Sequence, residues 1–205
     1  MLQRSGRAAG LIEPCLPSPA KAPPSGPDWL HEIKHDGFRI LARRDAASVR
    51  LYTRNGNDLS KRFPLVVAAI ATLPARSCLI DGEAIVSDGS GLAVIRSWHH
   101  DANAVLGAFD LLELDGEDLR RLPIEIRKTD LAQLLRSPHP GIALNKHHVG
   151  HGDIVYQQGL QARLRGHRVE AARLGVPLRP IEAPAQGQEP GATSRAREAE
   201  EQWRK

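Results

Sequence analysis

The chain has 205 residues, 41% of them hydrophobic and 25% charged, with a formal net charge of +4 at pH 7, enough apolar material for one domain with a real core plus tails. No apolar run approaches membrane-spanning length and the N-terminus lacks a continuous apolar signal segment, so no membrane association and a cytoplasmic location are expected. Two distant cysteines, Cys15 and Cys78, give neither a metal-ligand spacing nor a disulfide framework, and the basic balance is compatible with a nucleic-acid partner without requiring one.

Residues 1 to 27 include "PCLPSPAKAPPSGP", too dense in proline for a regular helix or central strand, and read as an extended arm. From Trp29 the texture changes. "HEIKHDGFRILARRD" and "VRLYTRNG" are strand-like runs separated by "DAAS", which predicts a hairpin. "RFPLVVAAIATLP" is apolar, has a proline near each end and predicts a helix of about three turns. "SCLIDGEAIVSDGSG" reads as strand, turn, strand, and "AVLGAFDLLELDGEDLR" as a buried strand closed by an Asp-Gly turn. "PIEIRKTDLAQLL" has an early Pro123 and leucines at helical spacing, and predicts a second helix. Residues 28 to 158 thus form an α+β unit with antiparallel hairpins. From 159 to 205 the chain is rich in arginine and alanine with almost no strand signal; residues 160 to 174 fit a basic helix, and the composition as a whole fits a solvated tail.

One stretch calls for chemistry. In "WLHEIKHDGFRIL", residues 29 to 41, Lys34 stands in an apolar strand-like run just before the turn signal Asp36-Gly37. An amine attacks only when deprotonated, and an apolar wall or a neighbouring cation such as Arg39 favours that form, while Asp36 offers a group to orient the amine or bring in a metal. An edge-strand lysine facing solvent is the plain alternative, because short motifs match by chance.

"EIKHDGFRIL" has the K-x-D-G-x-R pattern of covalent nucleotidyltransferases. With "LYTRNGNDLSKRFP", "LIDGEAIV" and "AFDLLELDGEDLRRLPIEIRK" following in order, residues 11 to about 158 resemble the adenylation domain of bacterial ATP-dependent DNA ligases of the end-joining type. The resemblance implies an ATP-grasp-like nucleotidyltransferase fold with antiparallel sheets and flanking helices. It implies that Lys34 attacks the α-phosphate of ATP to form lysyl-AMP, that Glu32 meets the adenine edge, and that Phe109 stacks on the base. Arg39 and Arg54 would lie near ribose and phosphates, and Glu83 would contact the ribose or a Mg2+ ion that neutralises the triphosphate. Nicked double-stranded DNA is the implied second substrate, in DNA repair and recombination, with end-joining repair proteins as partners. Read singly, Arg54 is equally a hairpin residue, Glu83 a solvated turn acid and Phe109 a core aromatic. RNA ligases and capping-type enzymes share the lysine motif; the wording "TRNGNDLSKRFP" favours the DNA-ligase branch.

The pattern then departs. The family's "EGIVSK" strand and later "LKVK" element, whose lysines hold the α-phosphate and pyrophosphate, do not appear. "LRGHRVEAA", residues 164 to 172, has a codon spelling that reads Cys-Glu-Gly-Ile-Val-Ser-Lys-Arg from its second base, and "AQGQEP", residues 185 to 190, one that reads Leu-Lys-Val-Lys-Asn at the same offset. A segment out of frame from about residue 159 to 189 accounts for both, and predicts an incomplete domain with no room after residue 158 for an OB-fold. Two functions follow: a DNA-ligase adenylation domain, or a catalytically inactive frameshifted remnant of one.

Overall fold

The computed structural model describes residues 26–32, 34–35, 37–87, 92–93, 98–150, 169–170 and 175–177. In chain order the elements are β1 (Gly26–Glu32), β2 (Lys34–His35), β3 (Phe38–Arg44), β4 (Val49–Tyr52), α1 (Pro64–Ala71), β5 (Cys78–Ser87), β6 (Leu92–Ala93), a 3-10 helix (Trp98–Asn103), β7 (Val105–Leu114), β8 (Glu117–Asp118), α2 (Ile124–Leu134), β9 (Ile142–Leu144), β10 (His147–Gly150), β11 (Val169–Glu170) and β12 (Gly175–Pro177). The class is α+β, as expected, with antiparallel sheets and few helices.

The main sheet runs β4-β3-β5-β7-β8, with β6 added to β5 and β9 to β7. All its pairings are antiparallel except β7 with β9. Alternation places Ile40, Ala42, Leu51, Ile80, Leu106, Ala108 and Leu111 in one core with Phe63, Val66, Ile70 and Leu131 from the helices and their flanks. Leu41, Leu79 and Leu112 form a smaller cluster apart from it, with Tyr52 packed alongside. A smaller sheet, β10-β1-β12, and the pair β11-β2 carry the segment around Lys34.

The β3–β4 hairpin forms where the sequence predicts it, across Asp45–Ser48. The Asp-Gly turn after β7 is real: Asp115 has φ 50° and Gly116 φ 94°, the pair of positive angles that a two-residue hairpin turn demands. At Asp81-Gly82 the expected turn is absent and β5 runs through. A side chain at 82 would come within 2.8 Å of the Leu106 side chain and 2.9 Å of the Gly107 carbonyl, so this glycine serves close strand packing. Helix α1 is shorter than predicted, with eight residues; the Thr72 hydroxyl donates to the Ala69 carbonyl at 2.8 Å and Pro74 follows.

β1 begins at Gly26, inside the expected arm; residues 1 to 25 lie outside the described residues. Of the expected basic helix at 160 to 174, only Val169–Glu170 is described, and it is strand. A β-branched residue beside the open edge of β2 gains ladder hydrogen bonds there, which outweighs weak local helix preference. β12 likewise adds to β1, so the expected tail donates two short edge strands. The frame-shifted reading otherwise concerns residues outside those described.

Candidate active site

Lys34 lies in a two-residue strand between Glu32 at the end of β1 and Gly37 just before β3. Its register partner across the antiparallel pair is Glu170. The turn residue Gly37 has a geometric duty. A Cβ there would stand 2.1 Å from the Ala84 carbonyl oxygen, so only glycine lets the lysine-bearing segment enter β3 this close to β5. The Gly37 amide donates to Glu83 Oε1 at 2.7 Å, which fixes the entry from the other side.

Strand register then aligns the remaining residues of the motifs. Arg39 is opposite Glu83, and Leu41 opposite Asp81, so Arg39, Asp81 and Glu83 share one face of the sheet. The Arg39 guanidinium grips Asp81 with two bonds, Nε to Oδ1 at 3.1 Å and Nη2 to Oδ2 at 2.7 Å. Burial pushes the Asp81 carboxyl up and the Arg39 contact opposes that shift. The same guanidinium carbon lies 5.6 Å from the centre of the Phe109 ring. Phe109 is the extra residue of a β-bulge. Gly82 pairs with Ala108 and Asp81 with Asp110, leaving Phe109 with no counterpart on β5. Bulges of this kind re-aim a side chain out of the regular alternation.

On the other flank Lys128 of α2 is almost wholly buried, with 2% of its side chain exposed. Its Nζ donates to Glu32 Oε1 at 2.7 Å and to the Phe109 carbonyl at 2.6 Å. Asn145 Nδ2 donates to the same Glu32 oxygen at 3.4 Å, and Asn145 Oδ1 lies 3.1 Å from His35 Nε2. Burial raises the Glu32 carboxyl above its ordinary range, with Lys128 opposing, and burial lowers the His35 imidazole below its usual value, with Asn145 opposing. Beneath the site, Arg127 holds Asp110 with two bonds of 2.9 Å and 2.9 Å.

Of the residues expected from sequence, Glu32, Arg39, Glu83 and Phe109 thus surround the segment that carries Lys34. Arg54 lies in the turn from Thr53 to Gly56 after β4, at the end of the sheet where β3 begins. Sequence reasoning missed Lys128, Asn145, Asp81 and His35. Lys128 was visible in principle: it falls with Ile124 and Leu131 on the buried stripe of α2, where a lysine is out of pattern. Asn145 gave no local signal, because its partners are 113 and 110 residues away in sequence.

Magnesium beside a triphosphate keeps several waters and needs only one or two protein carboxylates. Among the described residues no cluster of three His, Cys, Asp or Glu side chains could hold a metal by itself. Glu83 offers one carboxylate, on the same sheet face as Arg39, compatible with such an ion.

Comparison with known proteins matches residues 18–154 to the family described as ATP dependent DNA ligase domain. Among curated proteins, the chain is 36% identical over 144 residues to the multifunctional non-homologous end joining protein LigD of Pseudomonas aeruginosa, covering 64% of this chain and 17% of that protein. It is 36% identical over 123 residues to a probable DNA ligase of Streptomyces coelicolor, covering 52% and 24%. The chain therefore spans a quarter or less of the length of these relatives. Among solved structures, the ligase domain of Mycobacterium tuberculosis LigD aligns with a TM-score of 0.59 at 26% identity, covering 80% of this chain and 55% of that one. A mycobacterial DNA ligase D complexed with ATP aligns with a TM-score of 0.56 at 25% identity, covering 81% and 56%.

Proposed function

Because the chain belongs to the ATP-dependent DNA ligase domain family, we propose that it carries out ligase-type adenylation, with Lys34 as the nucleophile. The supporting observation is convergence: Glu32 on β1 and Arg39 on β3 flank the Lys34 segment, with Glu83 on β5 and Phe109 on β7 brought alongside by strand register and the bulge. Glu32 is an acceptor for the adenine edge, and bulged Phe109 offers an apolar face for the ring. Arg39 and Arg54 supply guanidinium groups for ribose and phosphates. The Lys34 amine attacks the α-phosphorus, the bond to the bridging oxygen breaks, and pyrophosphate leaves with that electron pair. AMP then passes from the lysine to the 5'-phosphate of nicked double-stranded DNA, and the 3'-hydroxyl displaces it to seal the strand. A Mg2+ ion near Glu83, when bound, would offset the negative charge of the phosphates. The protein's contribution is positioning and charge stabilisation.

We place this activity in DNA end-joining repair, in the cytoplasm, on the strength of the end-joining relatives; partner proteins of that process are the expected company. No helix among the described residues is long and apolar enough to cross a membrane.

A second reading is favoured by one specific observation. That observation is in the sequence: the family's "EGIVSK" and "LKVK" elements do not appear in this chain, and an inactive frameshifted remnant is the reading that follows from it. Incubation with ATP labelled at the α-phosphate separates the two. Acid-labile, base-resistant label on the intact chain that disappears in Lys34→Ala establishes adenylation; no label on either protein selects the remnant.

A further inference from the structure

Lys128, the last residue of the "AFDLLELDGEDLRRLPIEIRK" stretch, was given no role above, yet it touches two groups assigned to the base. Its ammonium is 2.7 Å from Glu32 Oε1 and 2.6 Å from the Phe109 carbonyl, with 2% of the side chain exposed. Glu32 approaches from the end of β1, whereas Phe109 belongs to a bulge in β7, and the two strands are in different sheets. One cation therefore ties the expected edge contact and the expected stacking contact together. The hydrogen bonds to Glu32 also fall on one oxygen: Lys128 and Asn145 both donate to Oε1, and among the described residues none donates to Oε2. Glu32 keeps 19% of its side chain exposed, and its carboxylate is anchored through Oε1.

We infer that Lys128 is a specificity-determining positioning residue: by holding Glu32 Oε1 and the Phe109 carbonyl, it presents Glu32 Oε2 as a hydrogen-bond acceptor that selects a 6-aminopurine over a 6-oxopurine nucleotide. This rests on the adenylation reading only in placing the base at Glu32. The chemistry is that of an oriented acceptor. An exocyclic amine donates to Oε2, whereas a 6-oxo group sets a second acceptor against it and leaves both desolvated without a proton between them. Burial of Lys128 beside Glu32 keeps the carboxylate paired and its rotamer fixed. Loss of Lys128 leaves the carboxylate only the longer Asn145 bond and detaches the bulge carbonyl at once, so edge and face contacts loosen together.

The experiment measures equilibrium binding of ATP and ITP, which differ at the 6-position, to the full chain, and so does not require the covalent step. The intact protein should prefer ATP, and Lys128→Met should lower the ATP-to-ITP preference by roughly tenfold, while Lys128→Arg retains most of it. Glu32→Gln gives a sharper readout that a merely structural role for Lys128 would not move. With Lys128 donating to the amide oxygen, the amide NH2 is forced outward, so the preference should invert towards ITP; adding Lys128→Met should abolish that inversion. Glu32→Gln and Lys128→Arg keep the test decisive if Lys128→Met fails to fold. An ATP preference unchanged in Lys128→Met, or no inversion in Glu32→Gln, overturns the inference and leaves the adenylation reading standing. Binding of neither nucleotide by the intact chain overturns both.

Discussion

At Gly37 a single absent methyl group decides whether the lysine segment can meet the sheet. The glycine is legible in the sequence as a turn signal, but the structure gives it a second duty in close approach, the obstacle being the Ala84 carbonyl oxygen 2.1 Å from where a Cβ would stand. Gly37→Ala should therefore destabilise the protein by at least about 2 kcal/mol, as overpacking against backbone does, and a lower denaturant midpoint at unchanged slope is the measurement. Lys34, Glu32, Arg39, Glu83 and Phe109 are expected at the site because the motifs that contain them resemble those of the ligase family. Lys128 was legible only as a lysine out of pattern on the apolar stripe of α2, and Asn145 not at all, since its partners lie far away in the chain.

At the scale of elements, β2 is the weak point of the site. It has two residues, and His35 joins it to the β9–β10 connection through Asn145. His35 is buried with no described hydrogen bond at Nδ1, and burial holds its imidazole below the ordinary value of 6.5. The folded state thus binds fewer protons than the unfolded chain in the window below about pH 6.5, so stability from this group is present above that value and is lost as pH falls through the window. His147 acts in the same sense, whereas the raised Glu32 carboxyl favours the folded state towards lower pH. The difference between parent and His35→Gln isolates the histidine: the variant should lose less stability than the parent between pH 7 and 5, read from denaturant midpoints across that range. The hairpin β3–β4 and the Asp115-Gly116 turn were legible because their signals are local. β5 was misread at Asp81-Gly82, since the same dipeptide that makes a turn also permits the tight packing of a central strand.

At the scale of the whole molecule, the question is what stands beside β2. The chain places Val169–Glu170 there and Gly175–Pro177 beside β1. Returning residues from about 159 to 189 to the second-base frame would restore "EGIVSK" and "LKVK" at family spacing, with an apolar strand in place of the present "LRGHRVEAA". A strand with proper alternation closes the edge and brings lysines to the phosphates. The repaired protein should be more soluble, unfold more cooperatively and form more lysyl-AMP than the parent. Equal solubility and adenylation of the two would show the hidden frame to be a coincidence of codon choice.

The sequence by itself determined the α+β class, the antiparallel hairpins, the lysine motif and the residue types that accompany it, because alternation, turn chemistry and motif spacing are properties of neighbouring residues. Tertiary structure alone decided that Arg39 binds Asp81, that Phe109 is thrown out of register by a bulge, and that a helix lysine reaches back to Glu32 across 96 positions of chain. Those contacts join elements distant in sequence, and their strength comes from burial, which exists only once the sheets and α2 have closed around them.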